Sequence, residues 1–477
     1  MKWIRKIRIP VYRWIISSIL FFLLSLNRLQ FGESIIPSLS FWDLLFLQTA
    51  DSNVLCFALL FILVFLAGDL SKTLKAEKPG LILLSISAVT LLAMGAFVLS
   101  NLCAYLFFAS NIDFSQTVFF ATTRAVFPCL VSISLLFLRC ITTFLAMYLI
   151  DLISNNPMGA IAIVFLSVID YNFYYITNLN LLYITPLEHT LLLYDTLFAT
   201  PTNRPSIIIS LCYWAILITA ISVGIAITKK KKKAKDVFAY NNNSFIASVV
   251  IMLVYSLINY LCLRRIDTVN QVNPTNINAF YYSAMSFNIL INTLAPIIAI
   301  LSAKDRIFCV SQNSDAALNL TDTVVLASKA ATKGGLVFIV FELVYILLLS
   351  IIFPISTSFN ILVSGTFSFL SRNVYLYLLC FAFNSFLVGF VYTAFAFSIS
   401  INNIYPLETF IIPQLYYVFR LYCPFEWMIN LLPMDTYDIA SKTRPLGEHV
   451  ISLLIILPII VLIFYLKLQM GKRSDTK

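Results

Sequence analysis

A cluster of six lysines, residues 229–235, constrains the fold of this 477-residue chain more than any other feature. The cluster directly follows the apolar run Ile207 to Thr228 and precedes a second one, Phe245 to Cys262. Each run is long enough to cross the hydrocarbon of a bilayer as a helix. Basic residues at the end of such a helix stay on the cytoplasmic side. The cluster therefore predicts a cytoplasmic loop between two halves, residues 1–235 and 236–477.

The composition indicates a membrane protein. Hydrophobic residues make up 60% of the chain and charged residues only 11%, against about 25% in soluble domains. Since lipid offers no hydrogen-bond partners to the backbone, we predict an all-α polytopic protein of the plasma membrane. The net charge of +10 arises mostly at the ends of apolar runs, so binding of nucleic acid is not expected. The sequence has no glycine-rich phosphate-binding loop and no metal-ligand spacing. We predict no catalytic, cofactor-binding or metal-binding residues.

Hydropathy predicts about twelve transmembrane helices, six in each half. The predicted spans are residues 14–26, 54–67, 81–109, 118–150, 161–175, 207–228, 245–262, 284–302, 335–353, 374–399, 407–422 and 450–466. Gly32 to Ser52 is predicted to be an outer loop. The inner loops carry most of the lysines and arginines, which places both termini in the cytoplasm.

An internal match before the last span of each half predicts two parallel six-helix repeats. Four residues of the first half recur 238 to 240 positions later in the second half. The pairs are Pro186 and Pro424, Glu188 and Glu426, Asp195 and Asp435, and Arg204 and Arg444. Duplicated halves are typical of transporters whose pathway runs between the repeats. The two glutamates follow prolines at the start of an expected outer helix. They either complement the helix dipole or contact a substrate.

Three charged residues are predicted to lie inside the membrane: Arg139, Asp170 and Glu342. Arg139 follows Leu-Phe-Leu in the middle of the fourth predicted span. A charge there costs about 2.5–3.5 kcal/mol on insertion scales, so a partner is expected. Asp170 and Glu342 are the two candidates. Such a pair either lines or gates a substrate path or is purely structural. Alternatively, Arg139 snorkels to the membrane surface.

Short motifs of the second half resemble the type-2 permeases of ATP-binding-cassette (ABC) exporters. The stretch from Pro296 to Arg306 is similar to the end of that family's second span and the start of its inner loop. The stretch from Ala327 to Gly335 is similar to the entry of its third span. The first half shares the general plan. The resemblance implies two fused permease domains, served by separate ABC-type ATPase subunits that bind the ATP.

The resemblance also implies which residues receive the ATPase and what the chain transports. The implied ATPase-coupling loops contain Asp69, Lys72 and Lys75 in the first half and Lys304, Asp305, Arg306 and Asp315 in the second. The chain would be a transport subunit, not an enzyme, and would export a hydrophobic or amphipathic substrate such as a peptide or lipid.

Two alternatives remain open from the sequence. The first is a secondary transporter of the major-facilitator type, whose acidic-basic loop pair Asp305-Arg306 could imitate. The second is an integral membrane enzyme that processes glycans or lipids. Its candidate residues are Glu188, His189, Asp195 and Arg204. The second half has Trp427 where a matching histidine is expected, which weakens this alternative.

Overall fold

The structure is a computed structural model that describes part of the chain. The described residues are 9–35, 39–49, 51, 54–67, 74, 77–114, 126–154, 159–175, 185–191, 205–231, 244–263, 275, 279–280, 296–307, 320–353, 355, 373–401, 406–421, 456–467 and 469. Within these ranges the regular structure is entirely helical.

The chain forms two compact units. The first contains residues 1–238 with 418–425, and the second contains 239–417 with 426–477. In the first unit we number the helices α1 (Val11–Ile35), α2 (Phe41–Thr49), α3 (Leu59–Ala67), α4 (Pro79–Phe108), α5 (Val126–Ser154), α6 (Gly159–Tyr175) and α7 (Ile207–Lys231). The later helices are α8 (Ser244–Leu263), α9 (296–307, interrupted by a turn at Ala303), α10 (Leu320–Ile352), α11 (Val374–Ser400), α12 (Pro406–Leu421) and α13 (Ile456–Lys467).

Six described helices are long and apolar enough to cross a membrane. They are Val11–Ser34, Pro79–Phe108, Phe127–Ser154, Ile207–Lys229, Thr321–Ile352 and Val374–Ser400. A bent pair of helices adds a seventh candidate, and three further apolar helices are shorter. The prediction of an all-α polytopic membrane protein is therefore confirmed. Twelve spans in two repeats stay a prediction, because the described helices supply six or seven.

The predicted outer loop Gly32 to Ser52 was wrong, because it contains the buried helix α2. The start of α2 is a capping box. The Asp43 backbone N–H donates to the Ser40 hydroxyl at 3.2 Å, and the Ser40 backbone N–H donates to the Asp43 carboxylate at 3.2 Å. This reciprocal pair satisfies two backbone donors that would otherwise stay open at the helix end. The polar residues that indicated a loop are thus the beginning of a helix.

The second predicted span, 54–67, is part of a broken helix. Helix α2 and the segment Val54–Leu66 form a pair bent by 60°. A π-helical turn, Val54–Ala58, lies at the start of the second arm and leads into α3. Every residue from Leu59 to Leu66 is at most 6% exposed, so α3 is enclosed within the first unit. An apolar surface on all sides is typical of a buried helix. At nine residues, α3 is about 14 Å long and too short to span the hydrocarbon alone.

In the second unit, α10 and α11 pack in very close, antiparallel contact. A Cβ added at Gly334 would meet the Thr393 side chain, and one added at Gly389 would lie 2.7 Å from the Phe338 ring. The contacts advance along α10 while they go back along α11, which defines the antiparallel direction. Only glycine permits two helix backbones to come this close. This pair forms the core of the second unit.

Candidate functional site

A buried ion pair joins α5 and α6 inside the first unit. The Arg139 Nη2 atom lies 3.0 Å from Asp170 Oδ2, and the two residues are 8% and 7% exposed. Arg139 is about 20 Å from either end of α5, too deep to snorkel to the surface. Of the two acids predicted as partners, Asp170 is the one that Arg139 contacts. Removal of either residue would leave the other as an uncompensated buried charge, so each charge is tolerated only because its partner is present.

Residues 185–191 cover this ion pair; we call them the outer segment, because the sequence predicts that they lie on the outer side of the membrane. The Leu187 backbone N–H donates to Asp170 Oδ1 at 3.0 Å. Arg139 Nη1 donates to the Thr190 hydroxyl at 3.4 Å, and this hydroxyl donates to the Pro186 carbonyl at 2.8 Å. Residues 186–190 form a hydrogen-bonded turn where a helix was expected. Each charge of the pair is therefore tied to the outer segment as well as to its own helix.

The π-helical turn Val54–Ala58 also contacts the Arg139–Asp170 ion pair. The Arg139 guanidinium lies 3.6 Å from the Cys56 sulfur, and the Ser167 hydroxyl donates to the Cys56 carbonyl at 3.1 Å. A π turn disturbs the regular helical ladder, and such turns are frequent at functional sites. Here a side chain of α6 satisfies the carbonyl at the disturbance. The ion pair thus lies where the broken helix, α5, α6 and the outer segment meet.

A second layer connects the outer segment to α7. The His189 Nδ1 atom is 2.9 Å from the Ser210 hydroxyl, and the His189 ring stacks on Tyr213 with centroids 3.9 Å apart. The indole N–H of Trp214 donates to the His189 carbonyl at 3.3 Å. Both His189 and Ser210 are buried, as is Glu188. These contacts pack the outer segment onto α7.

A small cavity lies beside the Arg139 guanidinium, between α3 and α5. Its volume of about 10 Å³ is room for roughly one water molecule. The lining residues are Leu55, Leu59, Leu60, Leu63, Leu136, Arg139, Cys140, Thr143 and Phe144. The wall is mostly leucine, with one cation. A group that entered here would meet an apolar surface with a single charged point.

In the second unit, the charged turn at the end of α9 is fixed to α10. The Lys333 ammonium lies 2.7 Å from Asp305 Oδ1, and the Ser302 hydroxyl is 3.5 Å from the Lys333 carbonyl. Ala303 and Ile307 are fully buried on either side of Asp305. Partial burial lowers the pKa of the Lys304 ammonium below its ordinary value. We call residues 303–307 the charged turn. It includes three of the predicted ATPase-coupling residues, Lys304, Asp305 and Arg306.

The remaining predicted site residues divide into two groups. Glu342 lies in α10 of the second unit, is 4% exposed, and hydrogen-bonds the Ser385 hydroxyl of α11. The others lie outside the described residues: Asp69, Lys72, Lys75, Asp195, Arg204, Asp315, Pro424, Glu426, Asp435 and Arg444. Of the residues predicted for an enzyme site, the structure describes only Glu188 and His189. Of the predicted repeat, it describes only Pro186 and Glu188.

Sequence reasoning missed three contacts of the ion pair: Cys56, Leu187 and Thr190. It also missed Ser167, which satisfies the Cys56 carbonyl, although Ser167 precedes Asp170 by three residues and therefore shares its helix face. Cys56 and Thr190 carry no such signal, since the break in the helix and the fold of the outer segment bring them to Arg139.

Comparisons of this chain with protein-family models, with curated proteins and with solved structures gave no match. Its function is therefore argued from the geometry above.

Proposed function

We propose that this chain is the membrane permease subunit of an ABC-type exporter in the plasma membrane. It moves a hydrophobic or amphipathic substrate, such as a peptide or lipid, and separate ATPase subunits bind and hydrolyse the ATP. The proposed organisation is two parallel repeats of six spans with both termini in the cytoplasm. The observation that carries transport is the Arg139–Asp170 ion pair, which lies at a broken helix under the outer segment.

This ion pair supports transport because it holds the outer segment in a closed arrangement. Separating two buried charges is costly unless each charge finds a new partner. The Leu187 and Thr190 hydrogen bonds make the outer segment part of the closed arrangement. Opening that segment therefore requires energy from outside the site, or polar groups that replace the lost partners. Broken helices with intramembrane charges are where transporters hold their substrates.

The cavity beside Arg139 supports the substrate class. Four leucines of the second arm of the broken helix line it, and Arg139 is its one charged wall residue. The closed cavity holds only about one water molecule, so a substrate would enter after the outer segment opens; the leucines would then contact an apolar chain, and the guanidinium would bind a polar headgroup. A small hydrophilic solute would lose its water there and find few hydrogen-bond partners.

The charged turn supports a separate ATPase. A partner that pushes on the charged turn would also move α10, because the Asp305–Lys333 ion pair ties the turn to that helix. Helix α10 passes the motion to α11 through the close contacts at Gly334 and Gly389. Residues 303–307 can in this way transmit force into two spans of the second unit.

A secondary carrier driven by an ion gradient is the second candidate. The Arg139–Asp170 pair favours it, because intramembrane pairs of this kind also mark ion and proton pathways. The two candidates differ in what the isolated chain can do. A carrier works alone, whereas the permease needs its ATPase.

Reconstitution separates the two. The chain is purified from its native membrane in mild detergent, together with any bound subunit, and placed in liposomes with a fluorescent phospholipid or a hydrophobic peptide as probe. We expect a Walker-motif ATPase to co-purify and transport to require ATP. Transport by the chain alone, driven by a proton or sodium gradient, contradicts the permease proposal.

Charge reversal at the charged turn tests the coupling. We expect Asp305→Lys or Lys333→Asp to reduce ATP-driven transport by about fivefold or more, and the double reversal to restore most of it. Lys329→Ala is the matched control, because Lys329 is an exposed lysine one turn away on the same helix. Equal loss in the control and in the single reversals would show that the ion pair transmits nothing.

A further inference from the structure

Glu342 lies deep inside α10, in the most apolar of the candidate spans. It is ten residues, or about 15 Å, from the end of that helix. Its neighbours along α10, Phe338, Phe341 and Tyr345, are all buried. Phe381 of α11 is buried as well. Glu342 is itself 4% exposed in this buried, aromatic-rich part of the unit, where an ionised carboxylate would be poorly solvated.

The two described helices that pack against α10 supply no counter-charge to Glu342. The described helices α8 and α11 contain no Asp, Glu, Lys, Arg or His. The nearest charged residue to Glu342 on α10 is Lys333, which is paired with Asp305. Lys333 lies nine residues, or about 14 Å along the helix axis, from Glu342. The titratable groups near this depth are Tyr255, Tyr345 and Cys380, all of them uncharged at neutral pH. Among the described residues, an ionised Glu342 would therefore have no charged partner.

Ser385 of α11 connects Glu342 to the backbone of the neighbouring helix. The Ser385 hydroxyl lies 2.9 Å from the Phe381 carbonyl and also hydrogen-bonds the Glu342 carboxyl group. It can therefore donate to the Phe381 carbonyl and accept from a protonated carboxyl group, or donate to an ionised carboxylate. The other carboxyl oxygen, Oε1, is buried and has no hydrogen-bond partner among the described residues. It is an open acceptor to which a water molecule could donate a hydrogen bond and deliver a proton.

We propose that Glu342 is a reversible proton-binding site in the middle of the second unit. In the protonated state the carboxyl group donates to Ser385. When the proton leaves, the Ser385 hydroxyl turns its hydrogen from the Phe381 carbonyl to the carboxylate. The site changes the hydrogen bonding of the tightly packed α10–α11 pair each time it titrates. It therefore gives this pair two states, independently of any ATPase.

Carbodiimide labelling tests this site on the full chain. Dicyclohexylcarbodiimide is hydrophobic and adds to protonated carboxyl groups. The wild-type chain in lipid nanodiscs is treated with it, and adducts are located by peptide mass spectrometry. We expect an adduct on Glu342 that falls by about fivefold or more between about pH 6 and about pH 10, as the proton is lost. Glu342→Gln should remove the adduct yet keep the thermal stability, because the amide replaces the protonated carboxyl closely.

Asp322→Asn is the matched control, since Asp322 is an exposed acid in the first turn of the same helix. We expect it to leave the labelling unchanged. No adduct on Glu342 at either pH would show a permanently ionised group. An adduct that is independent of pH would show a permanently protonated, structural carboxyl. Protection by sodium at fixed pH would show a cation site. Each of these results overturns the proposal, and none bears on the ATP requirement of transport.

Discussion

Arg139 carries a permanent charge into the middle of α5, and Asp170 is what makes this tolerable. Arg139→Ala leaves an acid in low dielectric, so we expect the free energy of unfolding to fall by about 3–5 kcal/mol, measured by SDS titration in mixed micelles. Asp170→Asn retains an acceptor for the Leu187 N–H but removes the charge. Adding it to Arg139→Ala should recover about half of the loss, because no charge then remains unpaired.

The control for this cycle is Arg28→Ala. Arg28 pairs with Asp51, and both side chains are more exposed to solvent than those of the buried pair. These side chains are less desolvated than those of Arg139 and Asp170, so we expect Arg28→Ala to lower the free energy of unfolding by less than Arg139→Ala does. An additive double variant at Arg139 and Asp170 would show that the two charges are not energetically coupled.

At the scale of the element, the α10–α11 pair depends on the absence of side chains. A Cβ at Gly389 would meet the carbonyl oxygen of Gly334 and the Phe338 ring. We expect Gly389→Ala to separate the helices and to lower the free energy of unfolding by about 1–3 kcal/mol, measured in the same micelles. Gly95→Ala in α4 is the control, because nothing lies within 4 Å of its added Cβ. A change of equal size in both variants would reflect helix propensity alone.

At the scale of the whole molecule, the lysine cluster predicts the orientation in the membrane. Reporter fusions after Ala234 and after Lys477 should both report a cytoplasmic position, because basic residues follow the preceding span in each case. A fusion at Arg204, before α7, is the control and should report the outer side. An outer signal at Ala234 or Lys477 would require an odd number of spans in one half, and the proposed organisation would fail.

The sequence predicts the long helices well because hydropathy responds directly to length and apolarity. Helices α4, α5, α7 and α11 lie close to their predicted spans. Helix α10 begins at Leu320, fifteen residues before the predicted span at 335, because a helix continues beyond the hydrocarbon through charged residues such as Lys329. Helix α2 was missed because its capping residues, Ser40 and Asp43, are also typical of loops.

The candidate site was predictable only in part. A mid-span arginine demands a partner on energetic grounds, which identified Arg139 and two possible acids. Hydropathy contains no distances between helices, so it could not choose between Asp170 and Glu342. The contacts with Cys56 and Thr190 depend on the bend before α3 and on the turn of the outer segment. Neither the bend nor the turn produces a periodic pattern or a characteristic residue spacing that could be recognised in the sequence.

The ion pair also determines an order of events while the chain is being made. Arg139 leaves the ribosome 31 residues before Asp170, or roughly 2–6 s earlier at ordinary rates of synthesis. During that interval α5 holds a charge that resists entry into lipid. We therefore expect α5 to enter the bilayer only after α6 has been made, with the two helices inserting together as a hairpin.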